Sequence, residues 1–393
     1  MYPWRERVSE EDYLIPVYKK IGGVFVRGKG SFLWDEKRRK FLDLFPGWGV
    51  SILGHCHPRI VKVVREQANQ LIHLPNNLRH PWQAALAKKI VDTSFKGKVF
   101  FANSGAEAVE AAIKFTRLYG KGERYEIITM KSSFHGRTLG ALSATGQKEY
   151  KYPFRPLLPK FTEAKFNDFG DFERKVNKKT VGVILELIQG EGGVNVARED
   201  YVRNLRKFCD ENDLIFIVDE VQTGMGRTAK LFCFQHYSVQ PDIMLLSKGL
   251  GAGFPISAMV VKEKIANLMG RSKHASTFGG APLPTRVSWE VFKIIEEEKI
   301  LANVKKMGRY FTNKLQGLKK KFAVIKEIRG KGLMIGIELA TNSYPFFEEA
   351  FKKGLIINST HKNVLRIMPA LNVKKEEIDL GLNILQEVFE KLC

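Results

Sequence analysis

From about residue 85 to about residue 280 the chain repeats one unit: a brief apolar run, then a turn, then often a helical pattern. The runs fall at 99–101, 126–130, 181–187, 214–218, 243–246 and 256–261, and several are apolar at nearly every position. A strand that is apolar on both sides needs cover on both sides. The runs therefore predict an α/β fold with a mostly parallel central sheet covered by helices. In such a sheet the reactive residues stand just beyond the carboxyl ends of the strands.

The flanks read differently. Up to about residue 55, β-like runs such as 23–26 and 31–34 alternate with Gly turns, and 58–71 has the spacing of an amphipathic helix. After the central region a helical stretch over about 289–318 leads to β-like runs at 324–328, 333–339 and 364–368, with helical pattern between and after them. This predicts a smaller α+β C-terminal domain. The expected division is 1–57, an N-terminal segment packing with the small domain, 58–288, the large domain, and 289–393, the small one.

Composition removes several classes of function. With 393 residues, 44% apolar and 27% charged, the chain is ordinary globular material with ample core. No apolar stretch approaches the roughly 20 residues that cross a bilayer. Residues 1–7 mix charges with aromatics and lack the apolar centre of a secretory signal, so a cytoplasmic protein is expected. Cys56, Cys209, Cys233 and Cys393 lie far apart with no C-x-x-C, which fits a reducing compartment.

Lys plus Arg total 64 against 42 Asp plus Glu, a net +22 that favours anionic partners. The basic runs are scattered and several adjoin acids, and no zinc-finger spacing, RNA-recognition signature or basic zipper accompanies them. Small anionic substrates are expected rather than nucleic acid. Gly23 to Lys29 spells G-x-x-x-x-G-K, but Gly30 stands where a nucleotide loop needs Ser or Thr. His55-Cys56-His57 lacks a third and fourth ligand, so no metal site is expected.

Three strand ends carry the chemistry. After 99–101 comes Asn103-Ser104-Gly105-Ala106-Glu107-Ala108, which opens an Ala-rich helix and is either a simple cap or a phosphate cradle. After 214–218 come Asp219 and Glu220; a buried aspartate here can serve a metal, act as a base, pair with a protonated ring nitrogen or cap the next turn. After 243–246 come Ser247, Lys248 and a glycine-rich run. A lysine desolvated at that point is a nucleophile toward an aldehyde cofactor; otherwise it is one more solvated lysine. Phosphate cradle, carboxylate and lysine together are what pyridoxal 5′-phosphate requires.

The sequence resembles class III (fold-type I) aminotransferases, most closely the acetylornithine and ornithine aminotransferase branch. The resemblance runs through Gly54-His55-Cys56-His57-Pro58, Asn103-Ser104-Gly105-Ala106-Glu107-Ala108, Phe134-His135-Gly136-Arg137-Thr138, Gln189-Gly190-Glu191-Gly192-Gly193, Asp219-Glu220-Val221-Gln222-Thr223-Gly224, Ser247-Lys248-Gly249 and Ser276-Thr277-Phe278-Gly279-Gly280, in order along nearly the whole chain.

It implies that Lys248 holds the cofactor covalently and shuttles the substrate proton, while Asp219 pairs with the pyridine nitrogen. Ser104, Gly105 and Ala106 bind the phosphate, with Thr277 from the other subunit of a homodimer. Phe134 and Val221 sandwich the ring and Gln222 approaches its hydroxyl. Arg137 grips the α-carboxylate of the amino donor. Arg366 takes that of 2-oxoglutarate and is covered by Glu191 when the donor is bound.

The implied reaction moves the distal amino group of N-acetylornithine to 2-oxoglutarate, in arginine or lysine biosynthesis. Ornithine, lysine or carrier-bound-lysine transamination, or a racemase on the same scaffold, are the alternatives. Leu187 replaces the usual proline after Glu186, Ala229 a usual glycine and Ala281 a common asparagine. Trp48 sits where ornithine enzymes carry a tyrosine, at a position that helps set amine selectivity.

Overall fold

The computed structural model describes residues 13–393, so the charged and aromatic opening at 1–7 lies outside the described residues. Near the start, β1 (Phe25–Lys29), β2 (Phe32–Asp35) and β3 (Lys40–Asp43) form an antiparallel meander. Then follow β4 (Gly97–Ala102), β5 (Glu126–Met130), β6 (Phe161–Ala164) and β7 (Thr180–Leu185). A two-stranded ribbon, β8 (Ile188–Gln189) and β9 (Asn195–Val196), precedes β10 (Ile215–Asp219), β11 (Ile243–Leu246) and β12 (Ser257–Lys262).

Seven of these strands make one sheet in the order β4-β12-β11-β10-β7-β5-β6. Pairing is parallel from β11 through β6, while β12 runs antiparallel to both β11 and β4. The reversal has a simple cause: the short link from Leu246 to Ser257 holds no crossover helix, and parallel strands need one. The continuous apolar runs are explained by burial on both faces. Val183, Leu185, Phe216, Val218, Met244 and Leu246 enter one core cluster, and the alternate residues Ile184, Ile215, Ile217, Ile243 and Leu245 enter the other.

One strand has no counterpart among the apolar runs, and one expected helix needs correction. β6 was not foreseen, because Phe161-Thr162-Glu163-Ala164 lies on the sheet edge, where half-exposed positions tolerate Thr and Glu. The single helix expected over 289–318 is two, Pro282–Glu297 and Ile300–Lys321, parted at Lys299 with φ 52°. A lysine in the left-handed region leaves no signal, since glycine is its usual occupant. The break lets the first helix stay on the helices Pro58–Ala68 and Pro81–Thr93 while the second packs on the C-terminal sheet.

That sheet is built from β13 (Ile325–Lys331), β14 (Met334–Leu339), β16 (Asn358–Thr360) and β17 (Val364–Ile367), in the order β13-β14-β17-β16 and antiparallel throughout. Between them β15 (Leu355–Ile356) pairs in parallel with β3, which ties the N-terminal meander to the C-terminal region. Among the described residues no helix is long and apolar enough to cross a membrane. His55 and His57 each face a different carboxylate, Asp43 at 2.8 Å and Glu298 at 3.5 Å.

Candidate active site

A cavity of about 160 Å³ opens where the parallel strands end, and residues from six separate segments line it. Gly105 and Ala106 come from the start of the helix Gly105–Tyr119, which follows β4. Ser104 caps that helix: its hydroxyl accepts the Glu107 N–H at 3.3 Å, and Glu107 accepts the Ser104 N–H at 3.1 Å. The N–H groups of Gly105 and Ala106 have no partner among the described residues. Cap and anion cradle are therefore not rivals here. The Ser104 hydroxyl serves the cap, and the next two N–H groups remain available at the positive end of the helix.

Asp219 ends β10 and is 5% exposed. One carboxylate oxygen accepts the Val221 N–H at 3.0 Å, and the other lies 2.8 Å from His135 Nδ1. A carboxylate accepts, so Nδ1 carries the hydrogen, and His135 Nε2 is left buried without a partner. The neighbouring Glu220 goes the other way. It accepts N–H groups from Cys233 at 2.8 Å and Phe234 at 2.7 Å and the Thr223 hydroxyl at 3.0 Å, and it does not reach the cavity. Burial pushes the Glu220 carboxyl up to about 7.

Lys248 follows β11 on a short turn at φ 42°. The Ser247 hydroxyl donates to the Ile256 carbonyl at 2.9 Å and pins the turn. Burial lowers the Lys248 ammonium below its usual range, and the Arg366 charge lowers it further, against the opposing pull of Glu191, Asp219 and Glu186. Glu186 closes the same wall. It accepts the Phe134 N–H at 2.9 Å and the Gly190 N–H at 3.2 Å, and burial raises it to about 7.

Beyond the lysine lies an ion pair. Arg366, fully buried on β17, meets Glu191 at 2.8 Å and donates to the Gln222 side-chain oxygen at 3.2 Å. Its other edge donates to Asn358 Oδ1 from Nε at 3.1 Å and from Nη2 at 2.9 Å, and the Phe45 ring lies 4.9 Å from it. Burial alone would raise the Glu191 carboxyl, but Arg366, with smaller help from Lys248 and Arg137, holds the group below its usual range.

The structure thus brings Gly105, Ala106, Phe134, Glu191, Asp219, Val221, Gln222 and Lys248 to one cavity, with Arg366 bonded to two of them. Ser104 stands at the helix cap outside it. Arg137 is exposed nearby, its guanidinium 3.9 Å from the Tyr150 ring and 5.4 Å from that of Phe134. Trp48 is half-exposed on a turn with φ 55°. Thr277 is exposed and does not line its own chain's cavity.

Residues missed by the sequence reading are His135, Glu186, Asn358, Phe45 and Tyr150. Position after a strand was a usable signal for Glu186, but Leu187 made the apolar run seem to continue past it. His135 stands inside a quoted motif and needed only a strand-end aspartate as its partner.

The buried carboxyls carry a pH signature. Glu220 is raised from 4.5 to about 7, so between those values the folded protein keeps a proton that the unfolded chain releases. Its contribution to stability is complete below pH 4.5 and is lost as pH rises through about 7. Relative to Glu220→Gln, the wild type should lose up to about 3 kcal/mol across that window, at ~1.4 kcal/mol per unit. Urea unfolding of both proteins at several pH values measures the difference. A constant difference would count against it.

Comparisons with known proteins point to one family. Residues 16–389 match the family Aminotransferase class-III. The chain is 48% identical over 388 residues to an acetylornithine aminotransferase of Caldanaerobacter subterraneus subsp. tengcongensis, covering 98% of each chain. An N-acetylornithine aminotransferase from Stenotrophomonas maltophilia K279a superposes with a TM-score of 0.84 at 33% identity, covering 98% of both chains. The ornithine aminotransferase of Toxoplasma gondii, crystallised with partial occupancy of PLP at its active site, gives a TM-score of 0.92 at 30% identity, covering 97% of this chain and 92% of the other. The chain belongs to the class III aminotransferases.

Proposed function

We propose that this protein is a pyridoxal 5′-phosphate-dependent aminotransferase that moves the distal amino group of N-acetylornithine to 2-oxoglutarate, giving N-acetylglutamate semialdehyde and glutamate. The observation that carries the reading is the convergence of Lys248, Asp219 and the Glu191–Arg366 pair on one cavity.

The residues fit the cofactor. Two unpartnered N–H groups suit its phosphate, a buried carboxylate suits its ring nitrogen, and a depressed lysine suits its aldehyde. Glycines let the walls of the cavity pack closely: a Cβ on Gly105 would stand 3.0 Å from Val221, and one on Gly136 would stand 2.8 Å from Ala106. When bound, the cofactor supplies the electron sink that lets a proton leave the substrate carbon.

Lys248 removes and returns that proton, a task for which a neutral amine must be present at working pH. Asp219, fixed by His135 and the Val221 N–H, holds a negative charge at the floor of the site. Phe134 and Val221 line the cavity where they would hold the cofactor's ring between them, and Gln222 is oriented by Arg366. Ser104 shapes the phosphate cradle, and Thr277 of the partner subunit completes it; the exposure of that segment supports a homodimer with shared sites.

Arg137 receives the α-carboxylate of the donor in a planar two-point contact. Glu191 neutralises Arg366 while the amine is bound, then swings aside for 2-oxoglutarate. The enzyme works on small molecules in the cytoplasm, without nucleic-acid or membrane partners.

Ornithine or lysine as donor is the second reading. It is kept open by Trp48, a third kind of residue at a position where ornithine enzymes have a tyrosine and several relatives a smaller side chain. Glutamate formation from 2-oxoglutarate with N-acetylornithine, ornithine and lysine supplied separately decides between them. The highest kcat/KM is expected for N-acetylornithine. A higher value for either free diamino acid would move the assignment, and no glutamate from any donor would defeat it.

A further inference from the structure

The two halves of the Glu191–Arg366 pair come from a loop and from β17, and one three-residue strand touches both. On β16, Asn358 and Thr360 are two residues apart and share a face. Ser359 points to the opposite side, where its hydroxyl meets that of Ser343 at 2.7 Å. Asn358 Oδ1 accepts from Arg366 Nε and Nη2 at 3.1 and 2.9 Å. Thr360 Oγ1 donates to the Glu191 carbonyl at 2.9 Å. Two residues further along, Arg329 Nε donates to the Gly193 carbonyl at 2.9 Å, so the loop backbone is held at Glu191 and beyond it.

We propose that β16 positions the gate, with Asn358 orienting Arg366 without discharging it and Thr360 fixing the backbone of Glu191 so that only its side chain moves. The proposal rests on the reading of the site as one that takes an ω-amino donor and 2-oxoglutarate in turn. A fully buried guanidinium must have its N–H groups satisfied. An amide does this and leaves the positive charge intact, whereas a carboxylate at the same place would cancel it permanently.

With Nε and one Nη2 hydrogen occupied by Asn358, the remaining end of the fork faces Glu191 and Gln222. That end is where an incoming carboxylate binds once Glu191 leaves. Because Thr360 holds the Glu191 carbonyl, the switch needs a rotation of the side chain and no rearrangement of the loop. Asn358 and Thr360 are positioning residues, acting through Arg366 and Glu191.

Two substitutions of nearly unchanged shape have opposite consequences. Asn358→Asp should raise KM for 2-oxoglutarate about 10- to 100-fold, the value of a charge-assisted hydrogen bond, and change KM for the amino donor less than about threefold. Thr360→Val should raise KM for the donor about threefold to tenfold, with that for 2-oxoglutarate unchanged or lower, and Thr360→Ser should restore it. Binding of glutarate, an unreactive dicarboxylate, to the holoenzyme by calorimetry should weaken in Asn358→Asp by the same factor as the acceptor KM.

Equal changes for donor and acceptor in either variant, or unaltered glutarate binding in Asn358→Asp, would overturn the proposal. If Asn358→Asp does not fold, the Thr360 pair of variants decides. Wild-type protein that makes no glutamate from 2-oxoglutarate would refute the functional reading instead, and glutarate binding would still judge the strand.

Discussion

Lys248→Ala is expected to lower glutamate formation by about 10,000-fold, the upper end of what a positioned proton-transfer group contributes. The reason lies in the surroundings of the amine. Burial destabilises its charged form and the neighbouring Arg366 does the same, which favours the neutral amine relative to an exposed lysine. Lys248→Arg keeps the positive charge and the length, yet a guanidinium stays protonated at any working pH. It should be as inactive as the alanine variant, which separates proton transfer from simple electrostatics.

Borohydride reduction followed by peptide mass measurement gives an independent reading. The cofactor should be found on the peptide containing Lys248 in the wild type and on no peptide of Lys248→Ala. Either variant retaining a rate within tenfold of the wild type would remove Lys248 from the reaction.

What made Lys248 and Asp219 legible is the same physics that made the sheet legible. β5 and β11 match the apolar runs residue for residue because both faces of a central strand are buried, and the residue after such a run is forced to the carboxyl edge. Where that forcing fails, so does the reading. β6 is an edge strand whose first three positions are only partly buried, and its Thr162 and Glu163 erase the pattern. Lys299 breaks a helix by adopting φ 52°, which its side chain neither favours nor announces.

In the site, Glu186 was concealed by the apolar Leu187 beside it. Asn358 and Phe45 reach Arg366 only through the pairing of strands in the C-terminal sheet and the return of the N-terminal segment to it. Such contacts depend on register between distant strands. No local spacing of residue types encodes them.

Asp219→Asn tests the charge at the floor of the cavity. An opposite charge beside a titrating group is worth about 1 to 3 pKa units, so removing it should lower kcat about 10- to 1,000-fold. The shape is nearly kept: the amide oxygen can still accept the Val221 N–H that lies 3.0 Å from Asp219. The new NH₂ would face His135 Nδ1, now 2.8 Å from the carboxylate. His135 relieves that conflict by moving its hydrogen to Nε2, the nitrogen that is buried and unpartnered in the native protein.

The variant should therefore fold, with a Tm near that of the wild type, while kcat falls. His135→Phe on the native background removes the group that holds the carboxylate but leaves its charge, and should lower kcat less than Asp219→Asn does. If Asp219→Asn kept kcat within a factor of about two, the carboxylate would be a turn cap and nothing more. A fall in kcat matched by His135→Phe would instead show that its orientation, not its charge, is what the reaction uses.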